Sequence, residues 1–224
     1  MNKQAQKLYQ SGQKQAAVKF LARKLQTDFG YLSWFIQLAG YLVAGGDLIQ
    51  AEELLIKAKQ LFPDAQAIDY NLAVVYFQAG QWEKVVELLK SINDPALLSD
   101  AYYLLAKTSQ KQQQIQQALV FALTAIDYDS RLNDNFLLAG DLLLQLQDFS
   151  EAQGYYQNAI KLQPSAAGYF KLGLCEMVTG DLTFQDHFQK ARQLDESYVN
   201  QHQQQLAEIE RYVQMMKEKE NPDE

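Results

Sequence analysis

The residues able to do chemistry in this chain are few, and their spacing does not assemble a reaction centre. His187 and His202 lie in segments of helical periodicity, and neither has a metal ligand at i+3 or i+4, the spacing that puts two ligands on one helix face. A surface or packing role is expected for each. Cys175 is the only cysteine, so no intramolecular disulfide can form. It sits in Leu172-Gly173-Leu174-Cys175 with no basic neighbour to stabilise a thiolate, which reads as a buried, inert thiol. No catalytic constellation emerges, so the expectation is a non-enzyme without cofactor or metal.

Asp28-Phe29-Gly30 matches the metal-binding tripeptide of kinases, but no glycine-rich loop or catalytic-loop motif accompanies it, and the context is helical. The glutamine-rich stretches 112–117 and 201–205 read as solvated helix faces, being too short and too regular for a prion-like tract. The net charge of −7 and a pI near 4.9 disfavour nucleic acid as a partner, because phosphate affinity needs clustered Lys and Arg. No run approaches the roughly 18 apolar residues of a membrane span, and no apolar secretory run follows Met1, so no membrane insertion and a cytoplasmic location are expected.

The organisation around these residues is periodic. Small or short residues recur as Ala17, Ala51, Val85, Ala118 and Ala152, at intervals of 34, 34, 33 and 34. A second ladder runs Ala58, Ile92, Ala125, Ala159 and Ala191, and a third runs Ala39, Ala73, Ala106, Gly140 and Gly173. Apolar residues between them follow helical spacing, as in Trp34, Phe35, Leu38, Tyr41 and Leu42. Gly45-Gly46, Ala79-Gly80 and Gln147-Asp148 fall at turns, while Pro63, Pro95 and Pro164 fall after second helices. The fourth unit has Lys111-Gln112-Gln113-Gln114 where a glycine turn is expected, so that turn is less well specified.

These residues resemble the tetratricopeptide repeat family over roughly 5–198, best in the fifth unit through Gly140, Phe149, Ala152, Tyr156, Ala159 and Pro164. The resemblance implies an all-α, right-handed superhelical solenoid of antiparallel helix pairs. About six repeats are expected, at 1–31, 32–65, 66–98, 99–132, 133–165 and 166–198. The first is short in its first helix. Val199, Leu206, Ile209, Val213 and Met216 form one apolar stripe, expected as a capping helix over 199–219, with a frayed tail at 220–224.

In the family the first helix of each pair lines an inner groove, and the fold itself names no ligand. One column facing that groove would read Ile36, Tyr70, Tyr103, Leu137 and Phe170. Its neighbours read Gly40, Val74, Lys107, Asp141 and Leu174, then Val43, Phe77, Gln110, Leu144 and Met177. A partner-binding surface is expected at Ile36, Tyr70, Asn71, Val74, Phe77, Tyr103, Lys107, Leu137, Asp141, Phe170 and Lys171. The family's carboxylate clamp is absent, since its places hold Ile36, Gly40, Asn71, Asp100 and Leu104. The expected function is a scaffold or adaptor for a protein or peptide. The alternatives are a peptide-sensing receptor and an accessory subunit of an enzyme complex.

Overall fold

Small residues recur where helices must approach closely, and the packing of each ladder gives the reason. The computed structural model describes residues 1–220, with side chains to 216. The chain divides into two compact units, 1–108 and 109–224. The first holds α1 (Lys3–Gln10), α2 (Lys14–Thr27), α3 (Leu32–Ala44), α4 (Leu48–Leu61), α5 (Gln66–Gln78) and α6 (Trp82–Lys90). α7 (Leu98–Lys111) begins in the first unit and ends in the second. The second continues with α8 (Ile115–Tyr128), α9 (Asn133–Gln145), α10 (Phe149–Leu162), α11 (Ala166–Thr179) and α12 (Phe184–Leu194). α13 (Glu196–Gln201) and α14 (Gln203–Glu220) complete it. No strand occurs among the described residues.

The helices α4 and α5 run antiparallel. Lys59 at the end of α4 meets Asp69 at the start of α5 at 2.7 Å, while Tyr76 near the end of α5 donates to Glu52 near the start of α4 at 2.8 Å. Every member of the three ladders is buried. At Gly140 even one more carbon has no room: a Cβ there would lie 2.7 Å from the Tyr156 ring. At Gly173 it would lie 2.9 Å from Phe188. Helices crossing at that range tolerate only the smallest side chains.

Within the pairs the chain reverses through one repeated device. The backbone N–H groups of Asp47, Gln81, Gln114 and Asp148 donate back to Leu42, Tyr76, Ser109 and Leu143, each at 2.9 Å. This six-residue closure needs a left-handed residue just before the donor. Gly46 and Gly80 supply it with φ of +83° and +71°, but Gln113 and Gln147 adopt it too, both at +62°. The fourth turn, expected to be loosely specified, is therefore the same turn made with a residue that bears the steric cost, about 1 kcal/mol. Local caps mark several helix starts: Asn2, Asp148, Ser165 and Asp195 accept from backbone N–H groups of α1, α10, α11 and α13.

The stripe expected as one helix over 199–219 is two. The backbone leaves helical geometry at His202 (φ −104°, ψ 15°), whose Nδ1 lies 2.8 Å from the Tyr198 carbonyl oxygen and competes for it. Val199 and Leu206, on either side of this break, pack into one cluster with Phe170, Leu174 and Ala191. Residues 221–224, most of the tail expected to fray, lie outside the described residues.

Candidate functional site

In the first unit, the first-helix faces are only partly closed. Ile36 on α3, Tyr70, Val74 and Phe77 on α5, and Tyr103 and Lys107 on α7 are all half-buried, while Leu38, Leu72 and Leu105 on the same helices are buried in the packing. The Tyr70 phenol is pushed up to about 12, first by burial and then by the Asp100 carboxylate and Tyr103. It therefore stays neutral and can donate a hydrogen bond at any physiological pH. The Phe77 ring meets Trp82 edge-on at 5.4 Å. Asn71 turns its amide onto its own helix, donating to the Ala67 carbonyl at 2.7 Å.

The second unit treats the equivalent positions differently. Leu137 on α9 is half-buried and packs beside the core of Leu143, Phe149, Tyr156 and Leu172. Asp141 is engaged internally: Tyr156 donates to it at 2.8 Å, and Lys171 lies 2.7 Å from the same carboxylate. Burial, and then Asp141, pushes the Tyr156 phenol well up. Asp141 and Lys171 thus tie α9, α10 and α11 together. Phe170 corrects the sequence expectation outright. It is 0% exposed, sealed under Phe188, Tyr198 and His202 at 5.4, 6.0 and 5.9 Å between ring centroids. The chain's own C-terminal helices close over this ring, so it does not line an open face.

Two arrangements escaped the sequence reading. Gln37, 5% exposed, accepts from the Asn2 backbone N–H at 2.7 Å and donates to the Asn2 carbonyl at 3.2 Å and to the Tyr41 hydroxyl at 2.8 Å. With Tyr9 stacked on Tyr41 at 4.0 Å, this docks the short first helix onto α3. His187, without a partner on its own helix, lies 2.7 Å from the buried Glu176 on α11. Such a pair spans two facing helices, which the i, i+4 rule cannot detect. Cys175 is buried, and its thiol is pushed up to about 12 by that burial, then by Glu176 and Asp141, so it is a poor nucleophile. Among the described residues no group of three or more His, Cys, Asp or Glu could hold a metal ion.

Residues 42–108 and 137–197 each match a family model described as tetratricopeptide repeat, together more than half of the chain. The chain belongs to the tetratricopeptide repeat family. No curated protein matches it in sequence. Among solved structures, Pseudomonas aeruginosa pilF is 16% identical with a TM-score of 0.72, covering 92% of this chain and 95% of its own. MamA is 20% identical with a TM-score of 0.61, covering 73% of this chain and 97% of its own. YrrB, described as a TPR protein with an unusual peptide-binding site, is 16% identical with a TM-score of 0.57, covering 80% of this chain and 94% of its own. At these identities the likeness shows the fold alone. Tetratricopeptide repeat proteins are generally non-catalytic interaction folds, so this chain is a protein-interaction scaffold in that general sense. No helix among its described residues is long and apolar enough to cross a membrane.

Proposed function

We propose that this tetratricopeptide repeat protein is a non-catalytic adaptor whose partner, a protein or peptide, lies along the first helices of residues 1–108. The observation that carries the reading is the half-open row of Ile36, Tyr70 and Tyr103, flanked by Val74 and Phe77. These are large apolar or aromatic side chains at repeat spacing that the repeats' own packing leaves partly uncovered. Aromatic rings offer wide contact area at small entropic cost, which suits them to recognition. Tyr70 adds a neutral hydroxyl that can donate to a partner's carbonyl, and Lys107 sets one cation near the row. That YrrB carries a peptide-binding site on a related fold supports a peptide as the ligand class.

Changing Tyr70 and Tyr103 to Ala together tests the reading. Circular dichroism should report unchanged helicity. Affinity purification from the native host should then lose the partner, each ring contributing on the order of 2 kcal/mol to binding. Retention of every partner at parental affinity would exclude this face.

A further inference from the structure

The tripeptide Asp28-Phe29-Gly30 stands in the connection between α2 and α3, and its geometry there is specific. Asp28 Oδ1 accepts from the Gly30 N–H at 3.0 Å, a tight local turn that leaves Phe29 at its outer corner. Phe29 is 55% exposed, and every other phenylalanine among the described residues is buried or half-buried. Its ring forms the lip of a pocket of about 620 Å³. Leu25, Phe35 and Leu38 give that pocket a floor continuous with the core, and Leu54 and Leu61 of α4 form a wall. None of the half-open residues Ile36, Tyr70 or Tyr103 lines it, so it is a separate site.

The only charged side chain lining the pocket is a cation, with the carboxylates of Asp28 and Glu53 outside the lining. Lys57 lines it and has no ion-pair partner among the described residues. Residues 1–27, which include all of α2, hold six of the twenty basic residues and none of the twenty-seven acidic ones, in a chain of net charge −7. These six, among them Arg23 and Lys24 beside the pocket residues Ala22 and Leu25, are all exposed. A pocket with an apolar floor and a basic border complements a segment that alternates bulky apolar and acidic side chains. A pocket that descends to the core accepts side chains one at a time, whereas a lipid surface would need a flat or convex face.

We propose that the pocket under Phe29 is a second interaction site, which takes an acidic, amphipathic peptide segment of a partner protein. Bulky apolar side chains of the segment seat on Leu25, Phe35 and Leu38 against Phe29 and Leu61. Its carboxylates meet Lys57 and the cations of α2.

The test uses the full chain as bait for a display library of random peptides. Peptides enriched on the parent protein should pair Leu, Ile, Phe or Trp with Asp or Glu. By fluorescence anisotropy, a dye-labelled enriched peptide should bind Phe29→Ala and Lys57→Glu at least about tenfold more weakly. Lys161→Glu, on the exposed side of α10, should bind as the parent does. Should Phe29→Ala melt early, Lys57→Glu alone decides, since an exposed lysine without an ion pair carries little of the fold. Peptides that are basic, that are indifferent to both substitutions, or that fail to enrich would overturn the proposal. So would two other findings in which both substitutions act: loss of co-sedimentation with phosphatidylserine–phosphatidylcholine vesicles, assigning the patch to a membrane surface, or loss of self-association in size exclusion, assigning it to a second copy.

Discussion

Tyr70 and Phe170 stand at the same register of their first helices, three repeats apart, and have opposite fates. Tyr70 remains half-buried and keeps a hydroxyl near Asp100, whereas Phe170 is wholly enclosed. The difference lies in what covers each face. Above α11 the helices α13 and α14 bring Val199, Leu206 and Ile209 onto Phe170 and Leu174. A position left partly open in one repeat becomes core in another when the chain has a helix left over to lay on it. Periodicity therefore assigns a direction to a side chain but not its exposure.

Removing the cover should give the largest effect. Deleting everything after Tyr198 strips Val199, Leu206 and Ile209 from Phe170 and Leu174, and burial of that apolar surface is worth on the order of 5 kcal/mol. The truncated chain should aggregate or lose cooperativity in a thermal melt monitored beside size exclusion. A monomer that melts at the parental temperature would mean that these helices are not a cap.

The same comparison extends to two glycines in first helices. Gly140 faces the Tyr156 ring, which Asp141 pins through its hydroxyl, so the ring cannot swing aside. Gly140→Ala should destabilise by about 1–3 kcal/mol in urea denaturation. Gly40 is also inside a helix, yet a Cβ there would meet nothing within 4 Å. Gly40→Ala should stabilise by up to about 1 kcal/mol, because alanine holds helix better and has free space. Equal signs for the two would remove the packing account of the third ladder.

A smaller effect is expected at the turns. Gln113→Gly and Gln147→Gly should each stabilise by about 0.5–1 kcal/mol, since both residues hold φ of +62°. Gly80→Ala, at φ +71°, should cost a similar amount. Denaturation midpoints of the three variants measure how far the glutamine turns are strained copies of the glycine ones.

Much of the fold was legible in the order of residues. The three ladders identify helix crossings because only small side chains let backbones approach, and all of their members are buried. Gly46 and Gly80 mark turns because the closing hydrogen bond requires a left-handed residue that glycine adopts freely. Site residues were less legible. Ile36, Tyr70, Val74, Phe77 and Tyr103 are on partly open faces, while Asp141 and Lys171 pair with each other and Phe170 is interior.

The sequence by itself determined the helices, their pairing and the family, because these follow from local period and from side-chain size at fixed intervals. Only the tertiary structure decided the rest. His187 meets Glu176 from a facing helix, Gln37 reaches the backbone of Asn2 thirty-five positions away, and Leu61 and Phe29 frame a pocket from different elements. Each depends on where a helix comes to rest against another. That placement is set by the summed packing of many side chains, which no spacing rule along the chain records.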